Sequence, residues 1–167
     1  MPAIEDRLAA LEQEVQGLCD QAEIQRLILG YGPLVDTATT PDRARKVAEL
    51  WTQHGTYDVG GMRLFAGREE LSKLCGEPHF QQAAQGICHV MGAPVVTVTG
   101  DEAVALNYSC VFCHDGDGDF FAWRVSANRW DIVRHEGRWK VARRVNRPMN
   151  GNPDALSLLR QIDVMAG

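Results

Sequence analysis

The sequence predicts an α+β domain in which helices pack on one face of a curved antiparallel sheet. Three observations carry that assignment. The first half of the chain holds apolar residues at helical spacing, the stretch from residue 87 onward is rich in alternating Val and aromatic residues, and tight Gly/Asp turns punctuate that second half.

Ile4, Leu8, Leu11, Val15 and Leu18 recur at steps of four and three, with Glu5, Asp6, Glu12, Gln13 and Glu14 between them. This is an amphipathic helix. Ile24, Leu27, Ile28, Tyr31, Leu34 and Val35 form a second apolar series that reads as a helix of its own, bent near "GYGP". Pro33 has no amide to give to the preceding turn, and Gly30 and Gly32 flank Tyr31. In "TTPDRARKVAELW", Thr40 is placed to cap a third helix, with Pro41 at its first position, Asp42 in its first turn and Val47, Leu50 and Trp51 on one face. "HGTYDVGGMRLFAG" reads as two short strands turning at Gly60 and Gly61, and "GREELSKLC" as a short helix.

"HVMGAPVVTVTG", "EAVALNYSCVFCH", "DFFAWRVSANRWDIVRHE" and "RWKVARRVNR" are then successive antiparallel strands joined by "TGDE", "DGDGD" and "HEGR". Pro153 and "DALSLLRQI" close the chain with a short helix. Strands this long must twist, so a curved sheet closed by helices encloses a pocket.

A length of 167 residues suits one domain spanning 1–167. A hydrophobic fraction of 45% and a charged fraction of 23% are those of a soluble globular protein. No apolar run approaches the roughly 20 residues that cross a bilayer. The N-terminal stretch has no continuous apolar core of a secretory signal, so a cytoplasmic protein with no membrane partner is expected. A net charge of -5 argues against nucleic acid as a partner. The five cysteines, at positions 19, 75, 88, 110 and 113, follow no framework of spacings and read as reduced thiols.

"YSCVFCHDGDGD" holds two conspicuous motifs, and neither is expected to act. Cys110, Cys113 and His114 match a haem-attachment spacing, but side chains three apart in a strand point to opposite faces. Zinc at these cysteines with Cys88 and His89 is the weaker reading of the same residues. "DGDGD" lacks the glycine that a calcium loop needs where Phe120 stands, and reads as a solvated hairpin turn. One face of its strand lines the pocket, either Tyr108, Cys110 and Phe112 or Ser109, Val111 and Cys113.

A quieter constellation is more informative. Tyr31 and Asp36 lie on or just after an apolar helix, where a carboxylate needs a partner. His89, at the start of the first long strand, can supply it. An Asp that accepts from one imidazole nitrogen fixes the tautomer and raises the basicity of the other, and a nearby Tyr hydroxyl can polarise a carbonyl. The competing reading is a commonplace strand-start histidine and a helix-end aspartate.

The runs "AEIQRLILGYGPLVDTA", "PDRARKVAELW", "GREEL", "HVMGAPVVTVTGDEA" and "NRWDIVRHEGRWKVARRVNR" together resemble the SnoaL-like branch of the nuclear transport factor 2-like (NTF2-like) superfamily, over roughly residues 5–160. That resemblance implies a cone-shaped α+β barrel around a deep, largely apolar pocket. The pattern is similar to that of the scytalone dehydratase, bile acid 7α-dehydratase and hexachlorocyclohexane dehydrochlorinase group, lyases that use an Asp-His pair, with a Tyr five residues before the Asp in the bile acid enzyme. Tyr31, Asp36 and His89 match those positions. An assisting Arg on the last strand corresponds to Arg144, five residues after Trp139, with Arg143 and Arg147 as alternatives.

The resemblance therefore implies a lyase or isomerase acting on a small hydrophobic molecule of steroid, terpenoid, polyketide or aromatic type, without cofactor or metal. His89 would be the base, Asp36 its orienting partner, Tyr31 the hydroxyl donor and Arg144 the stabiliser of negative charge. The alternative is a non-catalytic ligand-binding domain or a structural subunit, such as the small subunit of a ring-hydroxylating dioxygenase. The resemblance also favours a homodimer or homotrimer built through the outer face of the sheet, which exposed Phe121, Trp123 and Trp130 would suit.

Overall fold

The computed structural model describes residues 3–165. Helices α1 (Ile4–Asp36) and α2 (Pro41–Ala48) precede strands β1 (Trp51–Val59) and β2 (Arg63–Ala66); α3 (Gly67–Ser72), a 3-10 turn (Lys73–Cys75) and α4 (Glu77–Gln85) follow. The rest is β3 (Ile87–Met91), β4 (Val95–Thr99), β5 (Glu102–His114), β6 (Phe120–His135) and β7 (Arg138–Pro148), closed by α5 (Pro153–Leu159) and α6 (Ile162–Met165). The α+β architecture and the cone of helices on a curved sheet are those the sequence predicts.

The two N-terminal helices expected from the apolar series are one continuous helix of 33 residues. Pro33 lies inside it but is solvent-exposed, where water can replace the amide it lacks. The helix has two different faces along its length. Ile24, Ile28, Tyr31 and Val35 are buried against the sheet, whereas Ile4, Leu8, Leu11, Val15 and Leu18 are each more than half exposed. The apolar stripe of the first turns signals a helix correctly, yet it packs on no face of the described chain.

Asp20 anchors the junction between these halves. Its buried carboxylate accepts from Arg134 at 2.7 Å and from the Trp139 indole N–H at 3.2 Å, which ties α1 to β6 and β7. At the other end, the Thr37 hydroxyl donates to the Pro33 carbonyl at 2.6 Å, and Arg43 Nε donates to the Thr37 carbonyl, also at 2.6 Å. Thr40 caps α2 by accepting from the Arg43 amide, as its sequence predicts.

The strand order is β2-β1-β7-β6-β5-β3, with β4 also paired to β5. The sheet departs from the expected all-antiparallel form in one pairing, since β1 runs parallel to β7. The 27 residues that separate β1 from β3 hold β2, α3, the 3-10 turn and α4, and β2 at one side and β3 and β4 at the other remain as edges. The first predicted strand is divided at Gly92–Pro94 into β3 and β4, which share β5 end to end. Helix α4 has no counterpart in the sequence reading.

Buried side chains form two clusters. The larger lies between the inner face of the sheet and the N-terminal helices, around Ile28, Val47, Trp51 and Trp130. The smaller, Leu106, Ala127, Val145, Ala155 and Leu158, seats α5 on the outer face, so helices cover part of both faces. Trp130, expected on the outer face, is fully buried inside, with its indole N–H on Asn107 Oδ1 at 2.9 Å. Phe121 and Trp123 are half-exposed, but Trp123, which stands at a bulge between Ala122 and Arg124, lines the cavity rather than the outer face alone.

The "DGDGD" segment is a hairpin turn. One oxygen of Asp115 accepts the amides of Asp117, Gly118 and Asp119 at 2.8 to 3.1 Å, and Gly116 and Gly118 take positive φ. The Asp117 amide above all, helped by those of Asp119 and Gly118, holds the Asp115 carboxyl below its ordinary range. Among the described residues, no helix is long and apolar enough to cross a membrane, and no three His, Cys, Asp or Glu side chains are grouped to hold a metal ion.

Candidate active site

Helix α1 runs along the edge strand β3, and one residue allows it to come so close. A Cβ on Gly32 would lie 2.1 Å from the His89 carbonyl oxygen, so only glycine fits at this crossing. An edge strand leaves alternate amides unpaired. Here the last residue of α1 takes one of them: the His89 amide donates to Asp36 Oδ2 at 2.9 Å, and His89 Nδ1 lies 2.5 Å from Asp36 Oδ1.

Both carboxylate oxygens are thus engaged by a single residue, one through its backbone and one through its ring. An ionised carboxylate only accepts, so Nδ1 carries the proton and Nε2 keeps its lone pair. The two side chains are each about four-fifths buried. Asp36 and His89, 53 positions apart in sequence, are therefore brought together.

The His89 ring lines an apolar cavity of about 130 Å³, bounded also by Tyr31 and Val35 of α1, Tyr57 of β1, Met91 of β3 and Val111 of β5. Tyr31 stands edge-on to Trp51 and Trp130, with ring centroids 6.0 and 5.8 Å away. Burial, reinforced by neighbouring Tyr57 and opposed by Arg144, pushes its phenol well above the ordinary value. Tyr31 is a neutral hydroxyl and hence a donor.

Of the three candidate arginines on β7, strand alternation sends only Arg144 inward to the cavity. Arg143 is exposed, and Arg147 pairs with Asp58 at 2.7 Å. The Arg144 guanidinium carbon lies 4.3, 4.4 and 4.0 Å from the ring centroids of Tyr31, Tyr57 and Trp130. Its Nε and Nη2 donate to Asn128 Oδ1 at 3.2 and 2.8 Å, while Nη1 is buried with no protein acceptor. Ser109 and Val111 line the cavity, which settles the orientation of β5; Tyr108, Cys110 and Phe112 face the other way.

Several residues of the cavity wall and of the network behind it escape the sequence reading. His79 on α4 is buried, its Nε2 lies 2.8 Å from the Val35 carbonyl, and its ring is 6.2 Å from that of His89. Asn128 accepts from Asn146 at 3.0 Å as well as from Arg144, and donates to Ser109 at 2.9 Å. Arg124 and Ser126 line the wall beside them. The available signal was polar residues at every second position, Arg124-x-Ser126-x-Asn128 and Arg144-x-Asn146, on one face of two neighbouring strands.

Residues 16–145 match the model of the SnoaL-like domain family. Among solved structures, an NTF2-like protein with a cystatin-like fold from Novosphingobium aromaticivorans is 37% identical, with a TM-score of 0.82 over 95% of this chain and 98% of the other. A protein of unknown function from Mycobacterium tuberculosis is 18% identical, with a TM-score of 0.68 over 89% of this chain and 95% of the other. A candidate scytalone dehydratase from Novosphingobium aromaticivorans is 16% identical, with a TM-score of 0.65 over 79% and 85% of the two chains. No curated protein matches.

Proposed function

We propose that this chain, which belongs to the SnoaL-like domain family, is a cofactor-independent lyase or isomerase whose base is His89. The observation that carries the proposal is the double engagement of Asp36 by the His89 ring and amide at the wall of an apolar cavity. A structural subunit has no need of that convergence.

In the proposed reaction, His89 Nε2 removes a proton from a carbon acidified by a neighbouring carbonyl, and Asp36 stabilises the imidazolium that results. Tyr31 donates to the carbonyl oxygen as it gains charge, and Arg144 adds its field to the same oxyanion. If a hydroxyl stands β to that carbonyl, the imidazolium returns the proton to it, water leaves and a double bond forms. If instead a carbon–carbon double bond stands β,γ to that carbonyl, the imidazolium returns the proton at the γ carbon and the double bond has moved into conjugation.

The cavity volume of about 130 Å³ is close to that of a cavity that takes one benzene ring, about 150 Å³. This favours the single-ring aromatic end of the expected substrate range over a steroid. A cytoplasmic homodimer or homotrimer belongs to the same proposal, supported by the exposed Val90, Tyr108 and Val125 on the outer face of the sheet.

Proton abstraction is the step common to both outcomes, and it can be measured without the natural substrate. Single-ring β-hydroxy ketones incubated in heavy water should gain deuterium next to the carbonyl, followed by NMR. His89→Ala should abolish the exchange with the fold intact. Equal exchange with and without His89 would remove it from the mechanism.

A further inference from the structure

The cavity wall carries two guanidinium groups, and neither has a carboxylate partner among the described residues. Three other half-buried arginines do: Arg129 pairs with Asp131 at 2.8 Å, Arg134 with Asp20 at 2.7 Å and Arg147 with Asp58 at 2.7 Å, whereas Arg68, outside the cavity, donates to the Trp51 carbonyl at 3.0 Å. Arg144, by contrast, is held by aromatic faces and one amide oxygen. Arg124 is held only by neutral acceptors. Its Nη2 donates to the Gly60 carbonyl at 2.9 Å and to Asn146 Oδ1 at 2.8 Å, its Nε to Ser126 Oγ at 3.2 Å, and its Nη1 meets the Met62 sulfur at 3.2 Å.

A thioether is a weak acceptor for a cationic donor, and the Nη1 of Arg144 has no acceptor among the described residues. Asn146 and Asn128 hydrogen-bond to each other and hold Arg124 and Arg144, respectively, so the two cations belong to one preorganised network. No Asp or Glu is among the described residues that line the cavity with these two charges, and Asp36, behind His89, is already committed to that residue. Cations kept in a largely apolar enclosure without counter-ions are unfavourable unless a ligand supplies the negative charge.

We infer that the substrate is an anion, a single-ring molecule bearing a carboxylate or an ionised ring hydroxyl, and that Arg124 is the specificity-determining residue that receives it. The inference rests on the reading of this cavity as the substrate site. Arg124 also borders an open depression formed with Gly60, Gly61, Trp123 and Pro148. The anionic group thus sits at the junction of cavity and surface, with the apolar ring inside and the reacting carbon toward His89.

The test is titration calorimetry with benzoate and its neutral isostere benzamide, at about pH 8, where benzoate is ionised and an imidazole is ordinarily neutral. Benzoate should bind at least about tenfold more tightly than benzamide, the size of a charge-assisted contact. Arg124→Gln should erase that preference, and Arg124→Lys should restore part of it. His89→Gln should leave benzoate binding in place, so the anion site can stand even if His89 proves not to be the base. Equal binding of the two ligands, no saturable benzoate binding up to roughly 10 mM, or loss of benzoate binding in His89→Gln with retention in Arg124→Gln would each overturn the inference.

Discussion

Gly32 offers a test in which two physical effects have opposite signs. Replacing a helical glycine by alanine ordinarily stabilises by about 0.5–1 kcal/mol, through helix propensity. Gly17 and Gly30 of the same helix have open space around the missing Cβ, so Gly17→Ala and Gly30→Ala should show that gain. At Gly32 the added carbon would lie 2.1 Å from the His89 carbonyl oxygen, which is backbone and has no rotamer to escape into. Strand β3 would have to retreat by about 1 Å, stretching the two Asp36–His89 contacts to roughly 3.5 Å or more, beyond useful hydrogen bonds.

Gly32→Ala should therefore lose about 1–3 kcal/mol of stability, the usual cost of overpacking. Exchange or turnover should fall about 10²-fold from the misplaced base. Urea unfolding measures the first effect. Long-range proton–nitrogen NMR of the imidazole measures the cause directly, since the Nδ1–H tautomer of His89 should give way to a mixture. A Gly32→Ala protein as stable as Gly30→Ala, with the tautomer unchanged, would refute the claim that this crossing places the dyad.

Asp36→Asn should leave the cavity in place but lower proton exchange by about 10²-fold or more, because the amide can present its N–H to the ring and fix the wrong tautomer; exchange at the wild-type rate would count against the dyad. The Cys75 thiol, which burial and then the charge of Asp36 push up to about 12, should resist iodoacetamide at pH near 8 while exposed Cys19 and Cys88 are labelled, as mass spectrometry would report. Burial opposes ionisation of Asp20, but hydrogen bonds from Arg134, Trp139 and Gln16 outweigh it and hold its carboxyl below the ordinary value. Its contribution to stability is thus full above the ordinary carboxylate range and lost as pH falls through the depressed value; Asp20→Asn should cost about 1–2 kcal/mol at neutral pH and flatten the acid limb of a thermal-melt profile. A chelator should leave proton exchange unchanged, and a loss would direct attention to the cysteines of β3 and β5.

Helical and strand periodicity made the α+β order legible, because each period reflects which side chains one element can bury on one face. Periodicity says nothing about what covers that face. The stripe from Ile4 to Leu18 looks like a core helix in sequence, yet it projects into solvent and is continuous with the truly buried stripe from Ile24 to Val35. The parallel pairing of β1 with β7 was equally invisible, since it depends on a crossover through α3 and α4 rather than on the composition of either strand. Asp36 and His89 could be proposed because a carboxylate at the end of an apolar helix demands a partner. Asn128, Asn146, Arg124 and His79 were missed because their meaning lies in strand register and in one helix that the sequence reading did not anticipate.

The same register explains why the interior cation has aromatic rather than carboxylate neighbours. Across β6 and β7, Trp130 stands opposite Arg144 and Asn128 opposite Asn146, so the guanidinium lies against an indole face with an amide oxygen beside it. Cation–π contacts are worth about 0.5–2 kcal/mol each and leave the positive charge intact, whereas a carboxylate at the same place would neutralise it. A planar group held between rings cannot be replaced by the compact ammonium of lysine. Arg144→Lys should therefore lower stability by about 2 kcal/mol or more while conserving charge, and restoring charge alone should not restore proton exchange. If Arg144→Lys is both as stable and as active as wild type, the aromatic cradle is incidental and only the net charge of the cavity matters.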